Sequence, residues 1–248
     1  MKFVQAEYTD GILILKLNRP DKKNALTQNM YLRLALALED ANHDDQIRAV
    51  VLQGSSAVFT SGNDVADFAD DGSGTEKHES ERFMRAVMQL EKPLVAGVCG
   101  YAVGIGATML LHCDYVVVSE DVRIRFPFVD LGLCPEFAST LLLPLVVGRA
   151  KANEWMLIGA TVQAGEALAA GLVNQILPND QVLDDASNVA RALAKKPTEA
   201  LTQTRRLLKA AQRDIMAARV DEERQIFRTL RDTPDAQRIF RDFLSRPR

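Results

Sequence analysis

From Val95 to Asp114 the chain reads Val-Ala-Gly-Val-Cys-Gly-Tyr-Ala-Val-Gly-Ile-Gly-Ala-Thr-Met-Leu-Leu-His-Cys-Asp, and this stretch limits the possible folds more than any other. A short apolar strand, Leu94 to Val98, passes through a turn holding Gly100, Gly104 and Gly106 into an apolar helix over Ile105 to His112. A helix entered this way leaves its first backbone N–H groups without intrahelical partners. Those donors, with the positive end of the helix dipole, can hold an anion. Glycine allows the tight turn and a close approach of ligand to backbone. A buried strand packed on a buried helix needs small residues too, so this stretch alone leaves both readings open.

A second stretch has the same build. Val50-Val-Leu-Gln-Gly-Ser-Ser-Ala-Val-Phe-Thr-Ser-Gly-Asn-Asp-Val65 starts in a buried strand, Ala49 to Gln53, and ends in a loop of small and polar residues. Ser61-Gly62-Asn63-Asp64 can present another backbone N–H. Two donors from separate loops, converging on one oxygen, would make an oxyanion hole for charge developing on a carbonyl.

These two stretches, with Leu17-Asn-Arg-Pro20 and with Gly171-Leu-Val-Asn174 after Ala164-Gly-Glu-Ala167, resemble the crotonase (enoyl-CoA hydratase/isomerase) superfamily over nearly the whole chain. Ser61-Gly-Asn-Asp64, Ala102-Val-Gly-Ile105 and Pro135-Glu136 look most like the peroxisomal type of Δ3,Δ2-enoyl-CoA isomerase.

A chain of 248 residues, 47% of them hydrophobic, can bury one large core or a core with an appendage. Its net charge of −3 argues against a general nucleic-acid surface. No segment has the length of a membrane span. Cys99, Cys113 and Cys134 form no metal-ligand spacing, and His43, His78 and His112 belong to no recognisable triad. The N-terminus lacks a secretory pattern and the C-terminal Ser-Arg-Pro-Arg is not the peroxisomal address, so a reducing, cytoplasmic setting is expected.

Ile12 to Leu17 reads as a strand. Thr27 is placed to cap a helix reaching Asn42, with Met30, Leu34 and Leu38 on one face. The acidic stretch from Asp67 to Ser80 reads as a mobile loop. A helix over Glu79 to Leu90 leads to Pro93. Strands are expected at Tyr115 to Ser119, Val122 to Phe126 and Val173 to Leu177. Helices are expected at Phe137 to Val147, Ala150 to Ile158, Gln163 to Ala169 and Pro197 to Arg213. Thr233-Pro234 caps a last helix whose stripe is Ala236, Ile239, Phe240, Phe243 and Leu244. The pattern is an α/β body followed by helices alone. The resemblance makes the body, residues 1–195, a ββα spiral core. It makes residues 196–248 a helical region for oligomerisation, as a homotrimer or a hexamer built from two trimers. Packing of the last stripe on its own body is equally compatible with the pattern.

The resemblance also implies chemistry. Crotonase-type enzymes hold the thioester oxygen of an acyl-CoA, and the matching donors are the N–H groups of Asn63 and Ile105, acting through the backbone so that their side chains can vary. The two glutamates of the hydratases fall here on Thr108 and Phe128, so both carboxylates are missing. Glu136, after Pro135, occupies the position of the single catalytic glutamate of the isomerases. It is also placed to cap the helix that follows. Phe126, Phe128, Leu133 and Phe137 would wall it with apolar groups and raise its pKa. Lys22 and Lys23, with Ala25 and Leu26, would border the CoA nucleotide. Ser61, Gly62, Asp64 and Val65 would line the pantetheine and adenine path, largely through backbone groups, Gly104 and Gly106 the glycine turn, and Tyr101 and Phe128 the acyl pocket. No metal, flavin or nicotinamide is implied, CoA being part of the substrate. The expected activity is conversion of a 3-enoyl-CoA into trans-2-enoyl-CoA. The alternatives are another crotonase-type reaction, such as hydration, hydrolysis or dehalogenation, or acyl-CoA binding without turnover.

Overall fold

The computed structural model describes residues 3–67 and 79–245. Strands β1 (Val4–Thr9) and β2 (Ile12–Leu17) form an antiparallel hairpin. Asp10 and Gly11 join them with φ of 50° and 77°, the two positive angles that match a tight turn to the twist of paired strands. Only Val4 of β1 is buried, so this edge strand adds little to the core.

Helix α1 (Gln28–His43) follows, and the Thr27 hydroxyl accepts the Met30 N–H at 3.4 Å, the cap expected there. Next come β3 (Ala49–Gln53), α2 (Glu79–Gln89), β4 (Leu94–Val98), β5 (Tyr101–Val103), α3 (Ile105–Thr108), β6 (Tyr115–Ser119) and β7 (Arg123–Arg125). The chain continues through α4 (Ser139–Val147), α5 (Arg149–Leu157), β8 (Val162–Gln163), α6 (Ala164–Ala169) and β9 (Gln175–Leu177). It ends in α7 (Val182–Ala194), α8 (Thr198–Ala210), α9 (Arg213–Arg231) and α10 (Pro234–Leu244).

The main sheet has the order β1-β2-β3-β4-β6-β9, parallel throughout after the hairpin. A second, small sheet has the order β5-β7-β8. Strands β3 and β4 are buried along their whole length, because a parallel sheet is covered on both faces. One face packs on Val182, Ala186, Ala190 and Ala194 of α7. A Cβ at Gly97 would stand 3.0 Å from the Ala186 methyl, so small residues on both sides let α7 lie close. The other face packs on α1 and α2 through Met30, Leu34, Leu38, Phe83 and Val87.

The α/β body and the all-helical end therefore stand as expected, with local differences. The helix expected over Ile105 to His112 is α3 continued by a tighter 3-10 turn, Met109–His112. The helix expected to begin at Phe137 begins at Ser139, because Phe137 and Ala138 both take left-handed backbone, φ 68° and 54°. Within the Asp67–Ser80 stretch, residues 68–78 lie outside the described residues. Helix α10 packs on its own body: Ala236 and Phe240 are fully buried, and Gly132 leaves room for the Ala236 backbone. No described helix is long and apolar enough to cross a membrane.

Candidate active site

Two loops meet in register. Thr60 and Ala102 form a parallel bridge, with Thr60 N–H on the Tyr101 carbonyl at 2.9 Å and Val103 N–H on the Thr60 carbonyl at 3.1 Å. Three residues further along each chain stand Asn63 and Ile105. Gly62, at φ 92°, lets the first loop press against the second: a Cβ there would lie 2.7 Å from the Val103 carbonyl oxygen. Gly106 makes room for the Thr60 methyl, which a Cβ would meet at 2.4 Å. Gly104 has φ 57° and ψ −120°, backbone that belongs to glycine, and faces open space.

The backbone donors of the first loop can be followed one by one. Ser61 N–H goes to the Lys23 carbonyl at 3.0 Å, Gly62 N–H to Thr60 Oγ1 at 3.0 Å, and Asp64 N–H to the Leu26 carbonyl at 2.9 Å. Leu26 bridges to Asn63 in parallel fashion, so its own polar groups bond to Gly62 and Asp64 and the Asn63 N–H points away. Among the described residues no acceptor takes the Asn63 N–H. In the second loop Gly104 N–H donates to the Arg125 carbonyl, while Ala107 and Thr108 donate back to Gly104. Ile105, first residue of α3, keeps an N–H without an acceptor among the described residues.

The Asn18–Leu26 loop is a brace for this arrangement. Arg19 Nη1 donates to the Ala25 carbonyl at 2.9 Å and to Asp64 Oδ2 at 2.7 Å, and the Asn24 amide donates to the carbonyls of Val58 and Phe59. The Asp64 side chain is thus held by Arg19, and Ala25 and Leu26, at the end of the loop, are buried. Lys22 is half-buried and Lys23 exposed on its outer side.

Glu136 is buried, with 8% of its surface exposed, and its Oε1 accepts from Asn63 Nδ2 at 3.2 Å. Burial pushes its carboxyl up to about 7; the Asn63 bond opposes this and the Glu223 charge adds to it. Glu136 does not cap α4. The left-handed residues Phe137 and Ala138 intervene, and Glu223 of α9 does the capping instead, accepting Ala138 N–H at 2.6 Å, Thr140 N–H at 3.0 Å and the Thr140 hydroxyl at 2.6 Å. His112 stacks on Phe137 and bonds its carbonyl through Nε2 at 2.8 Å, so the proton sits on Nε2. Burial pushes His112 down to about 4, keeping it neutral. The Asn63 side chain is therefore not idle, contrary to the expectation that this position acts through its backbone alone.

Beside these groups opens a cavity of about 350 Å³. Ser61, Gly62, Asn63, Val65, Gly104, Phe128 and Leu133 line it. Val103 also lines it, whereas Tyr101, one pleat earlier, is half exposed and stands outside. Phe227 of α9 and Ile239 and Phe243 of α10 complete the wall, a contribution no local motif announces. Arg125 and Asp130 at the cavity are paired with each other at 2.8 Å. Ile105, Gly106, Pro135 and Glu136 are not on the wall; Glu136 reaches its edge through Asn63. Thr108 is fully buried, its hydroxyl turned to the Ile105 carbonyl. Among the described residues no group of three or more His, Cys, Asp or Glu side chains could hold a metal ion.

A parallel sheet feeding two abutting glycine turns, with a small second sheet beyond and helices closing the cavity, defines the crotonase class of acyl-CoA enzymes. The Enoyl-CoA hydratase/isomerase family model matches residues 7–246, and the chain belongs to that family. It is similar to the 2,3-dehydroadipyl-CoA hydratase of Escherichia coli (strain K12), 33% identical over 95% of this chain and 92% of the relative. It is similar to the human enoyl-CoA delta isomerase 2, 33% identical over 96% of this chain and 62% of that protein. The solved enoyl-CoA hydratase/isomerase of Pseudoalteromonas atlantica T6c superposes with a TM-score of 0.94, at 39% identity, covering 98% of this chain and 97% of the other.

Proposed function

We propose that the chain is a Δ3,Δ2-enoyl-CoA isomerase with Glu136 as its acid–base group. The observation that carries this reading is the buried Glu136 carboxyl, pushed up to about 7 and bonded to Asn63, together with the Asn63 and Ile105 N–H groups, which have no acceptor among the described residues. The thioester oxygen would take the N–H groups of Asn63 and Ile105. Glu136 would remove a proton from C2 of a 3-enoyl thioester. The charge would spread into a dienolate whose oxygen rests in the hole, worth roughly 3–4 kcal/mol per donor. The same carboxyl would return the proton at C4. A group titrating near 7 suits both halves of the transfer.

Hydration would need a second acid–base group to activate water. Thr108 and Phe128 supply none at the hydratase positions, and Glu223 is committed to three hydrogen bonds at the start of α4. The human delta isomerase 2 among the relatives supports the same choice. The cavity wall of Phe128, Leu131, Leu133, Phe227, Ile239 and Phe243 suits an uncharged acyl chain. As part of the same reading, Lys22 and Lys23 would meet the CoA phosphates, and the exposed Leu207, Leu208 and Ile215 of α8 and α9 would meet neighbouring copies in a homotrimer or a hexamer.

The test is incubation with 3-enoyl-CoA and 2-enoyl-CoA separately, following conjugated and hydrated products by absorbance and mass. Conjugation without hydration is expected, and Glu136→Gln should slow it by roughly 10²–10⁴-fold with thioester affinity retained. Isomerisation at the parent rate in that variant removes the proposal.

A further inference from the structure

Tyr31 has no part in the machinery described so far. It lies on the inner face of α1, is 1% exposed and packs its ring at a tilt against Phe83, centroids 5.5 Å apart. A buried tyrosine needs a partner for its hydroxyl, and this one donates to Asn63 Oδ1. The other end of the same amide, Nδ2, donates to Glu136 Oε1 at 3.2 Å. Burial, and then the negative charges of Glu136 and Asp67, hold the Tyr31 phenol well above its usual range, so it stays protonated and is the donor. An amide whose oxygen is fixed as acceptor has one orientation left, with its N–H₂ on the carboxylate.

We propose that Tyr31 is a positioning residue for Glu136, acting through the Asn63 amide and locking its donor end onto the carboxylate. The inference rests on the reading of Glu136 as the acid–base group. A donor on the ionised form favours that form, against the desolvation of the site. Without the hydroxyl the amide can turn and present Oδ1, which favours the protonated acid. Asn63 then links both halves of the reaction: its backbone N–H points to the developing oxyanion and its side chain holds the base. The groups facing this carboxyl from the surrounding elements are Glu223 of α9, Tyr31 of α1, and Asn63, with neutral His112 on Phe137 and Cys134 in the same loop.

The test follows the Glu136 carboxyl by ¹³C NMR in protein labelled at glutamate, its signal assigned by loss in Glu136→Gln. Tyr31→Phe should raise the titration midpoint by about one pH unit, a tenfold change in the proton equilibrium. The acid limb of kcat/KM should move with it, a loss of about tenfold at pH 6 that shrinks towards pH 9. Asn63→Ala keeps the backbone donor and should give the same displacement, and the double variant no more than either. That second variant decides the matter if Tyr31→Phe folds poorly. An unmoved midpoint in either variant, or a rate loss equal at every pH, overturns the proposal. If the parent protein does not isomerise, the functional reading fails by itself, and the NMR titration still decides whether Tyr31 positions the carboxyl.

Discussion

Glu223 Oε2 stands 2.6 Å from the backbone nitrogen of Ala138, joining α9 to the turn that carries Glu136. Two consecutive left-handed residues without glycine cost about 1–3 kcal/mol each and persist only where their surroundings over-determine them. Here the determinants are Glu223 on one side of the turn and His112 on the other. The last helices are thus part of what shapes the loop that carries Glu136.

Replacing Glu223 with Ala should uncover the Ala138 and Thr140 N–H groups. A lost cap of this kind costs about 1–2 kcal/mol, to be read from urea unfolding. Activity should fall further than that loss of stability would suggest, at unchanged oligomeric state in sedimentation. Parent-like kcat in a protein destabilised by that amount would separate α9 from the site.

The Glu136 carboxyl also shapes stability. Its folded pKa of about 7 lies above the ordinary 4.5, so between those values the folded protein holds a proton that the unfolded chain has released. Stability from this group therefore falls as pH rises through that window, and the deficit is complete above about 7. At roughly 1.4 kcal/mol per pH unit it amounts to about 3 kcal/mol. Glu136→Gln should be more stable than the parent at pH 8 and match it near pH 4. Equal melting temperatures at pH 8 would contradict the burial assigned to this carboxyl.

Much of this site is legible in the chain as written. The strand-glycine-helix run marks Gly104 and Ile105, Ser61-Gly-Asn-Asp marks Asn63, and the apolar runs of β3 and β4 need both faces covered. What is not legible comes from distance and from backbone. Tyr31 lies in the periodic apolar face of α1, where a buried tyrosine looks like any core residue. Glu223 is one acid among many in a polar helix, and its partners are 85 and 83 residues away. The left-handed turn at Phe137-Ala138 contains no glycine to announce it. The Asp10-Gly11 turn carries its own signal, and Val4, Ala6 and Tyr8 alternate with polar residues in β1, yet of these only Val4 is buried.

The far wall of the cavity gives a prediction about substrate length. Phe243 lines it while remaining 49% exposed, so its replacement should disturb little of the core. Phe243→Trp should reduce kcat/KM for long acyl chains by about tenfold and leave short ones within about twofold. Adding a carboxylate at the chain end should weaken the parent's use of any acyl group, since Arg125 is already paired with Asp130. Uniform loss across chain lengths would move the acyl end elsewhere.

The bridge between Thr60 and Ala102 has an evolutionary reading. From that point the two segments advance in step to Asn63 and Ile105, so the spacing of the donors is counted in residues rather than held by side chains. One inserted or deleted residue in either segment would carry an N–H to the opposite side of its backbone. The side chain at position 105 does not fix this spacing, whereas Gly62, Gly104, Gly106 and the length of each segment do. Gene changes that add or remove a codon between these landmarks should be the ones that silence the protein, whereas the same changes at the Asp10-Gly11 turn should pass nearly unnoticed.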